Sequence, residues 1–600
     1  MLNQSLVKIF HEIALYLEMQ NVAFKPQAYE KAAVNIETLS EDVDDVYKKG
    51  GLEALEQIPG IGKGLAEKIE EYIKTGKIKE YAELKKKTPV EIAELIAVEG
   101  VGPKAVRDLY KHLKIKNLKD LEKAAKVGKI RELPRFGVKS EQKILEGIEF
   151  LKKSGSHFLL GEIFPRVRNI ENRLRELKGV EKVEACGSIR RQKETIGDVD
   201  FLVASDNPEK VMDFFVSLSG VVKIWGKGAT KTSVRTRNGF DMDIRVVPKE
   251  SFGAALQYFT GSKEHNIILR KIAIDKGLKL SEYGLFKRTS AGWRILAGET
   301  EEEIYEKLGL QWIPPELREN QGEIELAQKG KLPKIIELSD IKGDLHCHSH
   351  WQNADLRGLN ADLRGINKGK EMINKYVKEA MALGYEYVGI SDHTKFLHIE
   401  HGLDEKQLAE QRKEIDKINV RCQTLPAGRQ VLDVKCRVLH GCEANIMADG
   451  SIDISDEALA KLDYVIAGVH SQMNMSKEKM TERIIKAMKN PHVDIISHPT
   501  GRILKQRDEY EIDFDKILAV AKETSTILEI NANPYRLDLN DKNIRKAKEI
   551  GVKMIINSDA HQSEQMRFME YGVSQARRGW AEKEDIINAW PADKMLSMLK

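Results

Sequence analysis

The chain reads as a multidomain protein combining α+β and α/β parts, and three changes of texture along its 600 residues predict this. Residues 1 to about 150 are rich in Lys, Glu, Leu and Ile, with apolar residues at helical spacing broken by short glycine-containing turns. From 180 to 285 the texture shifts to short β-type runs such as VDFLVA, TSVRT and MDIRVV. After 340, apolar strands ending in His, Asp or Glu alternate with helical stretches. That is the rhythm of a parallel (β/α) barrel, which carries its reactive residues at the C-terminal ends of its strands. At roughly 150 residues per domain, the length suits about four domains.

Composition sets the class. With 41% hydrophobic and 32% charged residues, the chain has the make-up of an ordinary globular protein with ample core. The opening MLNQSLVKIFHEIALYLEMQ carries charges inside its apolar pattern, so it predicts an amphipathic helix and not a signal peptide. No apolar run approaches the ~20 residues of a membrane span, so no membrane partner is expected. Five cysteines without CxxC spacing favour a reducing, cytoplasmic setting. A net charge of +4 is too small to argue nucleic-acid binding by itself. Histidine is distributed unevenly: eleven of fifteen lie after residue 340, which marks a separate metal-rich C-terminal domain.

In the helical region, LEQIPGIGKGLAEKI (55–69) and LIAVEGVGPKAVRDLY (95–110) share an apolar-x-Gly-apolar-Gly turn leading into a helix. Glycines at 60 and 62, and at 100 and 102, let the backbone turn tightly and expose its N–H groups at a helix N-terminus. A phosphate oxygen can be received there without any base being read. An ordinary helix–helix turn is the plainer alternative, and the second copy argues against it. LPRFGVKSEQKIL (133–145) is a degenerate third copy that lacks the first glycine. The motif resembles the helix-hairpin-helix of DNA repair proteins. Lysines 85 to 87 are the three-lysine run nearby, usually just a solvated face.

CGSIRRQKETIGDVDFLV (186–203) places Asp198 and Asp200 at alternate positions of a strand, so both carboxylates point to one face. Forty-three residues after Asp200, FDMDIRVVP offers a third strand-borne acid in Asp243, with Asp241 competing. Three carboxylates on one sheet face repel one another unless divalent cations neutralise them. Two ions ~3.5–4 Å apart would activate a 3′-hydroxyl and stabilise a leaving pyrophosphate. Gly187-Ser188 makes a turn able to hold a phosphate, with Arg191 supplying charge.

Taken in order, G-S-x-R-R…G-D-x-D, D-I-R-V-V-P and YFTGS (258–262) resemble the family X DNA polymerases, the group of polymerase beta, over residues 1 to about 315. The resemblance implies Mg2+ on Asp198, Asp200 and Asp243, the last chosen over Asp241 by the I-R-V-V-P that follows it. Asp243 would also help activate the primer hydroxyl. It further implies a dNTP site built from Ser188, Arg191, Tyr258, Phe259, Gly261, Asn266 and Arg270. Tyr258 and Phe259 would pack against the sugar, where a 2′-hydroxyl would clash. Beta-type members also carry a 5′-deoxyribose phosphate lyase, and Lys68 falls on its nucleophile position. Gly64 stands where the family often has a second basic residue, which weakens the grip on phosphate.

From 341 onward the motifs are His346-Cys347-His348, SDH ending at His393, Glu443 in GCEAN, His470 in GVHS, His498 in SHPTGR, and Asp559 and His561 in SDAH. A single such histidine would be a satisfied core residue. Eight imidazole or carboxylate groups at the ends of apolar strands are a ligand set. Mixed N/O donors suit Mn2+ or Zn2+, which would furnish a hydroxide nucleophile and neutralise a phosphate. Strand alternation turns Cys347 away from the ligands, and His350, His398 and His401 are spares. These motifs resemble the PHP (polymerase and histidinol phosphatase) domain, a distorted (β/α)7-type barrel. In bacterial and archaeal family X polymerases this domain follows the polymerase and acts as a Mn-dependent 3′–5′ exonuclease.

The expected organisation is a lyase-like helical domain (1–90) and a helical DNA-binding region (91–155). A nucleotidyltransferase palm (156–250) follows, then a nucleotide-selecting fingers/thumb part (251–315), a linker (316–340) and the PHP domain (341–600). The expected function is gap filling in base excision repair by a monomer acting on gapped or nicked duplex DNA with dNTPs, coupled to 3′-end processing. Alternatives are a polymerase with a structural, impaired PHP scaffold, and a small-molecule phosphatase, against which the hairpin motifs argue. One feature threatens the metal site. Asn353–Leu359 is repeated as Asn360–Ile366, directly after H-x-H-S-x-W, where the family has Ser-Asp-Gly. The repeat is expected to be an irregular, mobile excursion with Asp355, or failing that Asp362, replacing the displaced ligand. CQTLPAGRQVLD (422–433) looks like a second insertion, and loops absorb such additions cheaply.

Overall fold

The N-terminal helices pack by apolar residues three and four apart. Helix Leu2–Met19 buries Leu6, Phe10, Ile13 and Leu17 along one stripe, against helix Lys25–Glu37. This computed structural model describes residues 2–600 apart from 23–24, 38–42, 59, 97, 99–100, 154–156, 238, 352–360, 398–401 and 425–435. One core gathers buried side chains from Leu6 to Ile148. Within it a two-step turn recurs three times: the amides of Ile58 and Ile61 donate to Leu55 and Ile58, those of Val98 and Val101 to Leu95 and Val98, and those of Leu133 and Phe136 to Ile130 and Leu133. The third hairpin is therefore a true copy. Arg135 takes φ +73° where Gly60 has +78°, a strain of ~1–3 kcal/mol that the lost glycine leaves behind.

The middle of the chain supplies β1 (Phe158–Leu159), β2 (Val180–Cys186), β3 (Thr195–Ile196), β4 (Asp198–Ser205), β5 (Val221–Lys227), β6 (Lys231–Thr236) and β7 (Asp241–Val247). Strands β1 and β3 pair with each other, and the other five form one sheet in the order β2-β4-β7-β6-β5. Pairing is antiparallel except between β4 and β7. Val199, Phe201, Val203, Val234, Met242 and Ile244 fill the core beneath it. A smaller antiparallel sheet follows, built from β8 (Leu278–Ser281), β9 (Gly284–Thr289) and β10 (Gly292–Ala297).

The C-terminal part forms β11 (Gly343–Cys347), β12 (Tyr387–Ile390), β13 (Arg437–Asn445), β14 (Tyr464–Gly468), β15 (Ile495–Ile496), β16 (Ile527–Asn531) and β17 (Met554–Asn557). Every neighbour pair is parallel and follows chain order, with helices covering the outside. Burial on both faces explains the nearly unbroken apolar runs. The ring closes through short contacts: the Leu345 amide donates to the Asn557 side chain at 3.1 Å, Ala560 to the His346 carbonyl at 3.0 Å, and His348 to the Ala560 carbonyl at 2.8 Å. Among the described residues, no helix is long and apolar enough to cross a membrane.

Two expectations are corrected. The repeat is not irregular throughout: helix Ala361–Ala382 contains the second copy from its second residue onward. No Pro interrupts that stretch, and buried Ile373, Tyr376, Val377 and Ala380 anchor the helix downstream. Its Gly369 touches Trp351 so closely that a Cβ would stand 2.7 Å from the indole. The second insertion likewise continues helix Glu405–Thr424 for its first three residues, and its remainder lies outside the described residues.

Nor is 316–340 a loose linker. Leu317, Ile324, Ala327 and Ile335 join a core that begins at Ala254 and includes Leu308, Leu310 and Ile313, together with Trp580 of the C-terminal domain. Arg318, fully buried, donates to Glu301 at 2.6 and 3.1 Å, and Glu301 also accepts from Arg190 at 2.9 and 2.8 Å. Glu323 holds His265 at 2.8 Å.

Removing Arg318 strips a buried carboxylate of one of its two partners. Arg318→Met should lower the stability of the polymerase half by about 3 kcal/mol, the low end for a broken buried pair because Arg190 remains. A loose linker would show no change. Burial raises the Glu301 pKa, but Arg318 and Arg190 outweigh it and hold the group at about 2. This stabilisation is therefore full above the unfolded carboxylate range and is lost as pH falls from about 4.5 toward 2. The difference between wild type and variant in thermal unfolding should shrink over that window.

Candidate active sites

Alternation along β4 turns Asp198 and Asp200 to one face while Val199 and Phe201 are buried on the other. Parallel pairing sets Asp241 opposite Asp198 and Asp243 opposite Asp200. The two acids of β7 then differ in their partners. Arg235 holds Asp241 with hydrogen bonds of 2.8 and 2.9 Å, and the Trp225 indole donates to it at 3.2 Å. Asp243 faces Lys231 at 3.4 Å. Burial first, then the charges of Asp198 and Asp243, push Asp200 up to about 8, with Arg245 opposing. Burial and Asp243 likewise raise Asp198. Acids set side by side on paired strands suit a divalent cation, which would relieve the repulsion that helps to raise both groups.

The turn after β2 brings in the other side of this site. Gly187 has φ +69°, and a Cβ there would stand 3.2 Å from Asp200 Oδ2, so both backbone and space require glycine. Ser188 follows it. Arg191 donates from Nε to Glu319 at 3.1 Å and from Nη1 to the Thr260 carbonyl at 2.5 Å. Helix Phe252–Thr260 ends beside it at Gly261, whose φ is +73°. Tyr258 and Phe259 meet edge to face at 5.1 Å, and Asn266 donates to the Tyr258 carbonyl at 2.7 Å. Arg270 donates to the Asn266 carbonyl at 3.3 Å. The expected nucleotide-site residues thus gather around one helix end. Glu319 was not foreseen: it lies in a stretch whose Pro and charge content suggested a linker.

In the N-terminal hairpins, Gly62 and Gly102 cap their helices with nearly the same backbone, φ −89° and −92° with ψ 174°. Gly60 is required by its φ of +78° and by Asn35, 2.7 Å from where a Cβ would sit. Gly100 lies outside the described residues. A Cβ at Gly62 or Gly102 would meet nothing within 4 Å, and their extended backbone admits any residue. Neither glycine is demanded by the fold, so each leaves room for something else to approach. Lys68 sits 3.5 Å from Glu80 and 3.9 Å from Glu71, and Glu80 also accepts from Tyr29.

At the barrel mouth the strand ends converge as expected. Glu443, fully buried, has five imidazoles around it: His393 at 2.9 Å, His498 at 3.0 Å, His470 at 3.1 Å, His346 at 3.3 Å and His348 at 3.7 Å. Asp559 lies 3.3 Å from His348, and His561 stacks on His348 with ring centroids 4.3 Å apart. Three groups have ligand atoms close enough to share an ion: His346, His348 and Asp559; His348, His393 and His561; His393, Glu443 and His470. The buried His346 Nε2, His348 Nδ1 and Nε2, His393 Nδ1 and His498 Nδ1 have no hydrogen-bond partner. Buried polar atoms left this way, with carboxylates among them, fit metal ligation. Burial and the neighbouring His561 and His393 hold His348 neutral, its pKa lowered. Burial raises Glu443 and Asp559, but the imidazoles beside them win and keep both ionised. Asp559 and His498 take positive φ, +53° and +27°, a strain typical of functional positions.

Asp355 lies outside the described residues, as do His398 and His401, and of Asp362 only the helical backbone is described. Cys347 is buried in the barrel core, as alternation requires. Several supporting groups were missed. Glu529 accepts from or shares a proton with His346 Nδ1 at 2.6 Å, and also accepts from the His498 amide at 2.9 Å. Asn445 orients His470 through Nδ1 at 2.8 Å. Arg507 and Arg536 line the same cavity, of about 310 Å³. A charged residue within ILEIN, an otherwise apolar buried strand, was the available signal for Glu529.

Comparison with known proteins agrees with this layout. Residues 1–78 match a helix-hairpin-helix domain, 92–149 a SAM-like helix-hairpin-helix tandem, 255–319 the DNA polymerase beta thumb, and 365–533 the PHP domain. A DNA polymerase/3′-5′ exonuclease PolX of Bacillus subtilis (strain 168) is 36% identical over 600 residues, the whole of this chain and 99% of that protein. A probable phosphatase of Thermoanaerobacter sp. (strain X514) is 35% identical over 161 residues, 25% of this chain and 63% of its own. DNA polymerase lambda of Rattus norvegicus is 28% identical over 289 residues, 44% of this chain and 48% of its own. Matched from end to end by a polymerase–exonuclease relative, with hairpin, thumb and PHP parts in the same order, the chain belongs to the family X DNA polymerases that carry a C-terminal PHP domain.

Proposed function

We propose that the chain is a gap-filling DNA polymerase coupled to a 3′–5′ exonuclease, serving base excision repair, with one reaction at each of the two clusters. The observation that carries this reading is that one chain holds two separate sets of groups in need of cations. One is the palm acids Asp198, Asp200 and Asp243, where burial and then like charge raise Asp200 to about 8, and the other is a barrel mouth lined with unpartnered imidazole nitrogens.

In the palm, Asp198, Asp200 and Asp243 form an all-oxygen set suited to Mg2+, which would neutralise charge as a 3′-hydroxyl attacks a dNTP. Asp243 is favoured over Asp241 because Arg235 already occupies Asp241. Asp243 helps draw the proton from the primer hydroxyl. Ser188, Arg191 and Gly261 hold the triphosphate, Tyr258 and Phe259 flank the sugar, and Asn266 and Arg270 reach the nascent pair. At the barrel, His346, His348, His393, Glu443, His470, His498, Asp559 and His561 suit Mn2+ or Zn2+, which would supply an acidified water for phosphodiester attack. Glu529 fixes the ring of His346 through its other nitrogen, and Arg507 and Arg536 attract the phosphate. A purely structural barrel would leave no reason for unpartnered nitrogens at its mouth. Lyase chemistry at Lys68 is not part of this reading: the carboxylates of Glu80 and Glu71, 3.5 and 3.9 Å from its amine, would repel a sugar phosphate.

Asp200→Ala or Asp243→Ala should lower the primer-extension rate at least ~100-fold, whereas Asp241→Ala should retain most of it. The reverse order for the two β7 acids would refute the assignment. Gly62→Val with Gly102→Val should fold normally yet weaken gapped-duplex binding about tenfold on every sequence, with a shallower dependence on salt. Unchanged affinity in a titration across salt concentrations would remove the hairpins from DNA binding. Glu529→Gln should weaken metal retention at the barrel by about 10–100-fold, read as metal content after dialysis. A full complement in that variant would deny Glu529 its role.

A further inference from the structure

The turn that carries Ser188 and Arg191 is braced from behind by the C-terminal domain. Helix Met569–Arg578 reaches it twice. Ser574 donates to the Gln192 side chain at 3.2 Å, and Arg578 donates from Nη1 to the Arg191 carbonyl at 2.9 Å. The same Nη1 donates to Glu319 Oε1 at 3.1 Å, while Nη2 donates to Asp541 at 2.6 Å. Glu319 Oε1 is also the atom that accepts from Arg191 Nε at 3.1 Å. Two arginines, one from the palm and one from the barrel domain, therefore share a single carboxylate oxygen. Lys193 stands 3.9 Å from the other oxygen. Burial raises the Glu319 pKa, but Arg191 and Arg578 more than offset it, so the group is ionised.

This arrangement bears on how Arg191 reaches a ligand. A largely buried carboxylate with one close cationic partner holds it firmly, because releasing that partner would leave Glu319 with only Lys193 at 3.9 Å. With a second arginine in place, Glu319 stays paired when Arg191 turns away. We propose that Arg578 is a positioning residue for nucleotide binding: it neutralises Glu319 so that Arg191 is free to meet the triphosphate of the incoming nucleotide. The proposal rests on the reading of Arg191 given above. Through it, a residue of the nuclease domain sets nucleotide affinity in the polymerase site.

The test uses full-length enzyme in single-nucleotide gap filling, with kcat and dNTP KM measured separately and 3′–5′ nuclease rate followed without dNTPs. Arg578→Gln should raise dNTP KM about tenfold, equal to about 1.4 kcal/mol, with kcat and nuclease rate little changed. Adding Glu319→Gln to that variant should return KM toward wild type, because the carboxylate that retains Arg191 is gone. A merely structural brace would leave the double variant no better than the single one. Glu319→Gln alone, which keeps Arg578 paired with Asp541, should have a KM at or below wild type, and it serves if Arg578→Gln fails to fold. An unchanged KM in Arg578→Gln, an unrescued double variant, or a raised KM in Glu319→Gln would each overturn the proposal. Wild-type enzyme unable to add any nucleotide would instead overturn the polymerase reading beneath it.

Discussion

Glu301 and Glu443 are buried carboxyl groups and Asp200 is a half-buried one, and the way each is matched organises the structure around it. Glu301 is answered within the protein by Arg190 and Arg318, which tie the palm turn to the thumb and its C-terminal end. Glu443 is surrounded by five imidazoles, four of which, His346, His348, His393 and His498, have a ring nitrogen without a hydrogen-bond partner. Burial and the neighbouring Asp198 and Asp243 push Asp200 up to about 8. The balance of partners therefore separates a structural carboxylate from a ligand.

Much of this was legible in the sequence because it depends on local periodicity. Alternation alone put Asp198 and Asp200 on one face, and His, Asp or Glu at the ends of most apolar runs marked the barrel mouth. What escaped was non-local. The choice of Asp243 over Asp241 gains physical support only from Arg235, a residue on the neighbouring strand. Glu529 looks like an interruption in a core strand until His346 is seen against it, 183 residues away. The stretch 316–340 has the composition of a linker, yet two of its charges, Arg318 and Glu323, are buried against partners that spacing does not reveal. The repeat misled differently: its Asn, Asp and Gly suggested turns, but apolar residues downstream carried a helix back through its second copy.

The two halves of the chain are not independent beads. Leu537 and Tyr571 of the barrel domain lie in the palm core, and Trp580 lies in the core formed by the thumb and the segment after it. Arg502 binds Glu194 beside β3, and Arg168 binds Glu570. Apolar burial at these contacts makes the domain boundary part of each fold, so the orientation of the palm toward the barrel is set by packing.

Ring closure at Ala560 has a consequence for how the protein is made. The residue whose amide and carbonyl join β11 to the end of β17 sits between Asp559 and His561, so closing the barrel and completing its ligand set are one event. During synthesis, the palm sheet is translated in full long before that event. A ribosome paused before Asp559 exposes a nascent chain with no finished nuclease centre. The ligand set of the barrel is thus completed only near the end of synthesis, withheld from incomplete chains by the topology of the barrel.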